Sequence, residues 1–299
     1  MFVDRDGGAY RDRMTSTDTS RVWLITGSSS GFGLHIAQAA VERGDRVVAT
    51  ARRSESLSDL VASAPDRVLA VSLDVTRTDQ IDSAVAAAFK RFGRIDVLVN
   101  NAGYGSVGAV EEIEMDDLRA LMDTMFFGAV ALTQAVLPHM RERGSGSIVQ
   151  MSSQGGQVTF PGYGAYCASK YALEAMSEAL AAEVEPLGIR VLIVEPGAFR
   201  TGLMGARMHH SREIAAYAET AGATRSGAAA IDGAQPGDPR KLAAAIVAAL
   251  DAPDAPLHLA LGADAVDAIR AAQDRRRADL EAWEQVSRGT AFDQVKAST

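Results

Sequence analysis

The sequence predicts an α/β fold in which one parallel, doubly wound sheet of seven strands carries helices on both faces, in a single domain. Three observations predict it. Short apolar segments alternate with helical segments from residue 21 to residue 287. The apolar segments lack strict polar–apolar alternation, which is typical of strands buried on both faces. A glycine-rich turn, TGSSSGFG (26–33), joins the first apolar segment to the first helical segment.

The predicted strands are short apolar segments that stop at glycine, proline or polar residues. They lie at 21–26 (RVWLIT), 46–50 (RVVAT), 67–73 (RVLAVSL), 95–100 (IDVLVN), 147–152 (SIVQMS), 189–195 (IRVLIVE) and 257–261 (LHLAL). The predicted helices carry apolar residues at helical spacing, and most of them end at a glycine. They lie at 34–44, 80–93, 115–144, 164–188, 241–250 and 263–287. We expect Pro138 to bend or shorten the helix at 115–144.

Two regions depart from this alternation. Residues 202–237 contain several methionines and histidines and run into small, turn-forming residues, SGAAAIDGAQPGDP (226–239). We interpret 202–237 as a lid over a substrate site. Residues 1–20 are polar and lack the apolar core of a signal peptide, so we predict a disordered tail, with Met14 as an alternative start. The predicted catalytic domain then spans 21–299.

Composition argues against several classes of protein. The 299 residues are 47% hydrophobic, which is enough for a large core. The net charge of −8 and the lack of a basic block argue against a nucleic-acid partner. No apolar run approaches the roughly 18 residues of a membrane helix, so we expect no membrane association. The single cysteine rules out an internal disulfide framework and suits the cytoplasm, where we expect the protein.

The glycine-rich turn indicates a nucleotide site. Gly27, Gly31 and Gly33 follow a strand and begin a helix, with the spacing G-x-x-x-G-x-G. Glycines allow a tight turn and let a pyrophosphate reach the backbone N–H groups of the helix. A plain tight turn is the alternative interpretation.

The end of the second predicted strand bears on the choice of cofactor. An NAD-selective site usually has a carboxylate there, to bind the ribose 2′-hydroxyl. Here the strand runs into Arg52 and Arg53 with no acid. Guanidinium groups suit a 2′-phosphate. We therefore predict NADP(H), with NAD(H) as the second choice; two solvated surface arginines are the alternative.

Further motifs follow in order at the ends of later strands: LDV (73–75), VNNAG (99–103), a serine at 153 with YCASK (166–170), and EPGAFRT (195–201). Together with the glycine-rich turn, they resemble the short-chain dehydrogenase/reductase family, closely over 21–201 and loosely afterwards. The resemblance implies a Rossmann-type fold, a small-molecule carbonyl or alcohol substrate, and a homo-oligomer, either a tetramer or a dimer.

The resemblance also implies roles for single residues. The implied catalytic residues are Ser153, Tyr166 and Lys170. The implied cofactor-binding residues are Gly27, Ser29, Ser30, Gly31, Phe32 and Gly33 at the pyrophosphate, Arg52 and Arg53 at the 2′-phosphate, Asp74 and Val75 at the adenine, Asn101, Ala102 and Gly103 on the ribose side, Pro196, Gly197, Phe199 and Thr201 at the nicotinamide, and Tyr166 and Lys170 themselves. No metal site is expected.

The residues of YCASK support this chemistry independently. Tyr166 and Lys170 are four apart and share a helix face. A nearby ammonium favours the phenolate, so we expect Lys170 to lower the pKa of Tyr166 from about 10. Such a phenol exchanges a proton with a carbonyl oxygen as hydride moves at the carbon. Ser153 would donate a hydrogen bond to the same oxygen. A surface pair of tyrosine and lysine is the alternative.

One position departs from the family pattern. The family commonly has asparagine three residues before a glycine on the helix after VNNAG, and here Met125 precedes Gly128 in that place. A thioether accepts hydrogen bonds only weakly and donates none. The proton relay is therefore rerouted, through Gln150 or Thr124, or it is slower, or the protein has lost redox chemistry. We predict an NADP(H)-dependent oxidoreductase; a non-redox isomerase, dehydratase or cyclase, or a nucleotide-sensing binding protein, is the alternative.

Other residues near these motifs receive simpler interpretations. Tyr163 is predicted to pack or to line the substrate pocket, and Cys167 to be a buried small hydrophobe. In the lid, His209 and His210 are interpreted as surface loop residues. Met204, Met208 and Tyr217 are candidates for an adaptable apolar pocket, with ordinary helix packing as the alternative.

Overall fold

A computed structural model describes residues 20–292 of the chain. The predicted tail therefore lies outside the described residues except for Ser20, and so does Met14. Residues 293–299 of the predicted domain also lie outside them.

Nine β-strands form within the described residues. They are β1 (Val22–Ile25), β2 (Arg46–Ala51), β3 (Val68–Ser72), β4 (Val97–Asn100), β5 (Gly105–Val107), β6 (Gly146–Met151), β7 (Ile189–Pro196), β8 (Met208–His210) and β9 (His258–Leu261). Seven of them build one sheet in the order β3-β2-β1-β4-β6-β7-β9. Every pairing in this sheet is parallel, and the predicted seven-stranded, doubly wound fold is confirmed.

The helices alternate with the strands of the large sheet. They are α1 (Gly31–Glu42), α2 (Ser58–Ser63), α3 (Thr78–Phe92), α4 (Met115–Met122), α5 (Gly128–Arg143), α6 (Gly164–Val184), α7 (Ala223–Ile231), α8 (Pro239–Asp251) and α9 (Ala263–Arg288). Several of them end at a glycine with positive φ, including Gly93 after α3 and Gly144 after α5, as the glycine stops predicted.

Two hydrophobic clusters cover the two faces of the sheet. Trp23 and Ile25 of β1 point into one cluster, which includes residues of α1 and α8. Leu24, between them, points into the other, which includes residues of α3, α5 and α6. All three side chains are fully buried. Because successive strand residues face opposite sides, a strand covered on both faces must be apolar throughout, and this is why the strands lack alternation.

The helix predicted at 115–144 is interrupted, but not by Pro138. A π-helical turn, Asp123–Phe127, joins α4 to α5, whereas Pro138 lies inside α5. In this turn the N–H of Gly128 bonds to the carbonyl of Asp123, five residues back. A π turn widens the helix locally and changes the direction in which the side chains after it point.

The same segment, Met115–Arg143, is long and apolar enough to cross a membrane by length and composition alone, with a mean hydropathy of 1.5 over its most apolar window. The expectation that no apolar run reaches that length is therefore wrong for this segment. Helices at the core of sheet proteins pass the same test, and α5 packs against β4, β6 and α3.

The region 202–237 has more regular structure than its composition indicated. The three-residue strand β8 pairs in parallel with β5, so that Gly105 lies opposite Met208. The residues predicted as a turn-forming run begin inside α7, which extends to Ile231. That part of the prediction is wrong, because alanine-rich segments form helices readily once a neighbouring surface covers them.

The position of β1 decides where a ligand binds. It lies between β2 and β4, while β3 lies beyond β2, so the strand order reverses beside β1. At such a switch point, the loops after two neighbouring strands diverge and leave a crevice at their carboxyl ends.

Candidate active site

The turn between β1 and α1 has a shape that only glycine permits at three positions. Gly27 and Gly31 have φ of +67° and +58°, in the left-handed region. A Cβ on Gly33 would lie 2.5 Å from Nδ2 of Asn101 and still closer to the carbonyl oxygen of Gly27. The missing side chains leave a cradle at the first turn of α1, where N–H groups have no partner within the helix. The residues therefore fit a pyrophosphate group.

Thr26, a functional residue beyond those predicted from the motifs, connects this turn to the end of β4. Its hydroxyl accepts hydrogen bonds from the N–H groups of Asn101 and Ala102, at 2.8 and 2.9 Å. The side-chain amide of Asn101 donates back to the Thr26 carbonyl at 2.7 Å. Asn101 therefore supports the turn, and its amide is already used. The available signal was a threonine placed directly before Gly27.

Arg52 and Arg53 follow β2 and are both exposed. Neither forms an ion pair with a carboxylate in residues 20–292. Arg52 lies near Tyr104, which follows β4: burial raises the pKa of that phenol, and Arg52 opposes the rise. Arg52 is thus placed near Tyr104, at the carboxyl ends of β2 and β4. The carboxylate of Asp74, after β3, accepts hydrogen bonds from the N–H and hydroxyl of Thr76.

Ser153, Tyr166 and Lys170 converge at the same carboxyl edge. Ser153 follows β6, and its Oγ accepts a hydrogen bond from the N–H of Gly155 at 3.0 Å. Tyr166 lies in the first turn of α6, and its ring and the Ser153 hydroxyl both lie beside Gly155. Lys170 is one turn further along, with Nζ 5.9 Å from the centre of the Tyr166 ring. The structure therefore brings together the three residues that the motifs selected.

The electrostatics of this set differ from expectation. Burial raises the pKa of Tyr166 to about 12, and the hydrogen bond from Ser153 opposes the rise. Burial lowers the pKa of Lys170 to about 8, although Glu174 favours its charged form. The Lys170 ammonium donates to the carbonyl of Met151 at 2.7 Å. The expected lowering of the Tyr166 pKa is thus wrong for this structure, because burial is the largest influence on the phenol and raises its pKa. The phenol holds its proton at neutral pH.

Comparisons with known proteins agree with this geometry. A family model described as short chain dehydrogenase matches residues 21–212. The chain belongs to the short-chain dehydrogenase family. It is 56% identical to a short-chain dehydrogenase from Streptomyces avermitilis, whose structure matches with a TM-score of 0.87 over 92% of this chain and 100% of that one. It is also 40% identical to the oxidoreductase BOA17 of Botryotinia fuckeliana, over 91% of this chain and 100% of that protein.

A solved short-chain dehydrogenase from Burkholderia cenocepacia, in complex with NADP, is more distant. It shares 28% identity and a TM-score of 0.69, over 88% of this chain and 96% of that one. The predicted family and fold are therefore confirmed. The chain is an oxidoreductase of the short-chain dehydrogenase family, and a nicotinamide cofactor and a small-molecule substrate are in keeping with that membership.

Behind the lysine of this short-chain dehydrogenase lies a buried polar network that no sequence motif indicated. Glu174 is one turn from Lys170 on α6 and bonds to the hydroxyl of Ser152. The side-chain amide of Gln157 donates to Glu174 at 2.5 Å and to Glu195 at 3.2 Å. Burial raises the pKa of Glu174 to about 7. Ser152 is therefore committed to this network.

His258 completes the network from β9. Its Nδ1 lies 2.7 Å from Oε1 of Glu195. Ligand atoms of Glu174, Glu195 and His258 all lie within 4.8 Å of one another, a spacing that a divalent cation accepts. No metal-ligand spacing in the sequence revealed this cluster, because three separate elements contribute to it. In this structure the amide of Gln157 joins the two carboxylates.

Met125 lies in the π turn and is 3% exposed. Its Sδ accepts a hydrogen bond from the hydroxyl of Ser169 at 3.8 Å. Beside it is a cavity of about 10 Å³, lined by Thr26, Val75, Asn100, Ala102, Thr124, Met125, Ala129, Leu132, Met151, Lys170 and Leu173. That volume corresponds to about one water. Of the two polar groups considered for a rerouted relay, Thr124 lines this cavity.

Gln150 does not line it. Its Oε1 accepts a hydrogen bond from Asn100 at 3.0 Å within the sheet, and its amide nitrogen lies 3.5 Å from the hydroxyl of Thr133. The polar atoms of Gln150 thus join β4 and β6 to α5, and a role for Gln150 in the relay stays a prediction.

The segment after β7 is braced from two sides. A Cβ on Gly197 would collide with the carboxylate of Asp264, which accepts a hydrogen bond from Ala198 N–H at 2.7 Å. Phe199 is 9% exposed, and its ring packs edge-on against Phe32 with centroids 5.4 Å apart. Both rings therefore stabilise the glycine-rich turn. Direct contact of Phe199 with a nicotinamide stays a prediction, as does the role of Phe32 at the pyrophosphate.

The region 202–237, for which the role of a lid stays a prediction, is held by polar contacts. Arg225 of α7 is buried and pairs with Glu112 at 3.0 Å. The hydroxyl of Tyr217 donates to Glu111 at 2.6 Å. His209 lies on β8 and pairs with Asp117 at 2.9 Å, so its interpretation as a loop residue is wrong.

Three smaller predictions concern neighbours of the catalytic set. Cys167 is 1% exposed, in keeping with a buried small hydrophobe. Burial raises its pKa to about 11. The Tyr163 ring is half-buried and packs against that of Tyr166, with centroids 6.3 Å apart; a place at the pocket wall stays a prediction. His210 is exposed, although it is a strand residue.

Proposed function

We propose that this protein is an NADP(H)-dependent oxidoreductase that interconverts a ketone or aldehyde and an alcohol, with Tyr166 as general acid and base. The observation that carries the proposal is the convergence of Ser153, Tyr166 and Lys170 beside a turn shaped for a pyrophosphate. An intact set of this kind argues against a protein that only senses nucleotides.

The nicotinamide, when bound, supplies or accepts the hydride. The protein's own groups handle the proton. With a pKa of about 12, the Tyr166 phenol carries its proton at pH 7 and donates it to the carbonyl oxygen as negative charge develops there. The Ser153 hydroxyl, oriented by the Gly155 N–H, donates to the same oxygen. The protonated phenol favours carbonyl reduction at neutral pH.

Lys170 stabilises the phenolate that Tyr166 leaves behind. Its pKa of about 8 keeps it mainly charged at pH 7, and its backbone acceptor on Met151 holds it below the Tyr166 ring. A cation near a phenolate lowers the energy of the charged form. The proton lost by Tyr166 returns through the cavity beside Lys170, which has space for one water and reaches Thr124.

The choice of NADP(H) rests on the end of β2. Arg52 and Arg53 are exposed, carry no ion pair among the described residues, and stand where an NAD site usually has a carboxylate. A 2′-phosphate would receive charge-assisted hydrogen bonds from them. NAD(H) is the competing cofactor.

The substrate proposed is a small to medium, mostly apolar ketone or aldehyde. Val110 is 80% exposed and packs beside Gly164 at the start of α6, and Phe160 is 36% exposed just before it. Met208, on the lid strand, packs over Gly105. Apolar walls with few polar groups are typical of such pockets.

The test is cofactor oxidation with a panel of ketones and aldehydes, using NADPH and NADH in parallel. Tyr166→Phe should lower kcat by about 10²- to 10⁴-fold, because it removes the acid while keeping the ring. Tyr163→Phe is the matched control and should change kcat little. The proposal would be refuted if Tyr166→Phe formed product at the wild-type rate, or if product formed without cofactor oxidation. Arg52→Gln should raise the KM for NADPH and leave that for NADH unchanged.

We also propose a cytoplasmic homo-oligomer. Phe127, at the π turn, is 56% exposed and Met176, on α6, is 46% exposed, which suits helices that meet a second copy. The buried thiol of Cys167 suits a reducing compartment. Light scattering of the purified protein tests the oligomeric state, since a monomer at micromolar concentration would overturn the proposed homo-oligomer.

A further inference from the structure

Arg207 lies in the lid directly before β8, far from the glycine-rich turn in sequence. Its backbone is held in place, because its carbonyl accepts a hydrogen bond from the N–H of Gly105 at 3.0 Å. The next residue, Met208, begins the parallel ladder with β5. The β5–β8 pairing therefore fixes the backbone position from which the Arg207 side chain extends.

The side chain of Arg207 reaches the glycine-rich turn. Its Nη2 donates to the hydroxyl of Ser30 and to the carbonyl of Thr201, the latter at 3.3 Å. A Cβ on Gly31 would lie 3.3 Å from the same nitrogen. The guanidinium thus lies over the turn, in the space that the missing side chain of Gly31 leaves open.

The charge of Arg207 is uncompensated in the described part of the chain. It forms no ion pair with a carboxylate there, whereas Arg225, the buried arginine of the lid, is paired with Glu112. Burial alone lowers the pKa of Arg207, with no acidic neighbour to oppose it. Removing a cation from water without a counterion is unfavourable, so such a site favours an anion.

The neighbouring groups are also donors. Ser30 is the N-cap of α1, yet its side chain makes no capping hydrogen bond. The first turn of α1, which begins directly after Ser30, has N–H groups without partners within the helix, and the helix dipole adds positive potential there. Guanidinium, hydroxyl and backbone N–H groups therefore surround one space, and phosphate oxygens accept from all three.

We propose that Arg207 binds the pyrophosphate of the nicotinamide dinucleotide, and that this contact holds residues 202–210 of the lid against the bound cofactor. The inference rests on the proposed function, since it needs a dinucleotide in the cradle. It adds a lid residue to a site otherwise built from the sheet edge. Cofactor binding and lid closure then become one event, because the same side chain takes part in both.

Equilibrium binding tests this without turnover. Dissociation constants of NADPH, NADH and adenosine 2′-monophosphate, which has no pyrophosphate, are measured for the wild type, Arg207→Gln, Arg207→Lys and Arg212→Gln. Arg212 is an exposed lid arginine and serves as the matched control. Arg207→Gln should weaken both dinucleotides by about tenfold to a hundredfold and leave the monophosphate unchanged. Arg207→Lys should recover part of the loss, and Arg212→Gln should match the wild type.

Hydrogen exchange supplies a second readout. NADPH or NADH, whichever the wild type binds, should slow the amide hydrogen exchange of residues 202–210 in the wild type. At saturating cofactor, the exchange of the same residues in Arg207→Gln should be slowed much less. Unchanged dinucleotide affinity in Arg207→Gln overturns the proposal. Tighter binding also overturns it, because the arginine then blocks the site. An equal loss for the monophosphate means that the turn has been disturbed, and this contradicts a specific contact. Failure of the wild type to oxidise cofactor with any carbonyl refutes the proposed activity, while these affinities still report on Arg207.

Discussion

Gly33 offers the sharpest test of the cradle. Alanine at this position adds one methyl group whose carbon would lie 2.5 Å from Nδ2 of Asn101 and closer still to the carbonyl oxygen of Gly27, where ordinary contacts begin at 3.4 Å. Neither neighbour moves easily. The Asn101 amide is held by the Thr26 carbonyl at 2.7 Å, and the other atom belongs to the backbone of the turn.

The overlap must therefore displace the turn itself. Overpacking of this kind costs about 1–3 kcal/mol of stability. For a domain of this size, each kcal/mol corresponds to a fall in Tm of about 2–4 °C. Because the same turn carries the N–H groups of the cradle, we expect dinucleotide affinity to fall by at least about tenfold, the equivalent of roughly 1.4 kcal/mol.

Thermal unfolding followed by circular dichroism, with and without cofactor, measures both effects on Gly33→Ala. Gly227→Ala is the matched control, since Gly227 lies in α7 and a Cβ there meets nothing within 4 Å. Alanine in a helix is more favourable than glycine by about 1 kcal/mol, so the control should be neutral or slightly stabilised. If Gly33→Ala melted at the wild-type temperature and bound cofactor with wild-type affinity, the steric argument for the cradle would be refuted.

Three further predictions concern the surroundings of the site. Met125→Asn should leave kcat within about a factor of two in H₂O and D₂O, because the cavity beside Lys170 already has room for one water; a rise of tenfold or more would show that the thioether limits proton supply. The pKa of Glu174 is raised from 4.5 to about 7, so the folded protein holds this proton more tightly than the unfolded chain does. The free energy of unfolding should therefore fall by roughly 3 kcal/mol as the pH rises from 4.5 through 7. Glu174→Gln should remove this pH slope in urea unfolding, and an unchanged slope would contradict the assignment. Arg225→Met leaves Glu112 without its cation and should raise hydrogen exchange in 208–231 while the sheet stays protected; equal exchange would mean that this pair does not hold the lid.

Much of the fold could be predicted because its signals are local. Apolar segments such as RVWLIT and IRVLIVE mark strands buried on both faces, and the glycine stops mark the ends of helices. The spacing of Tyr166 and Lys170 places both on one helix face whatever surrounds them. The glycines of 26–33 likewise encode the turn, since only glycine accepts the positive φ found at Gly27 and Gly31.

Other features depend on partners that are distant in the chain. The π turn at 123–127 has no sequence signature. Pro138 predicted a break at the wrong place, because a proline is tolerated once neighbouring packing holds the helix. The pairing of β5 with β8 joins residues about a hundred positions apart in the chain. Each of these strands has only three residues, which is too short for a hydrophobic pattern to predict it.

The sequence by itself therefore determined the family, the succession of strands and helices along the chain, and the identity of Ser153, Tyr166 and Lys170 as candidates. Only the tertiary structure decided what surrounds them. It raised the Tyr166 pKa by burial, placed Glu174 behind Lys170, and brought Arg207 over the cradle. The physical reason is that backbone preferences act between near neighbours, whereas burial and charge depend on which distant segments pack together.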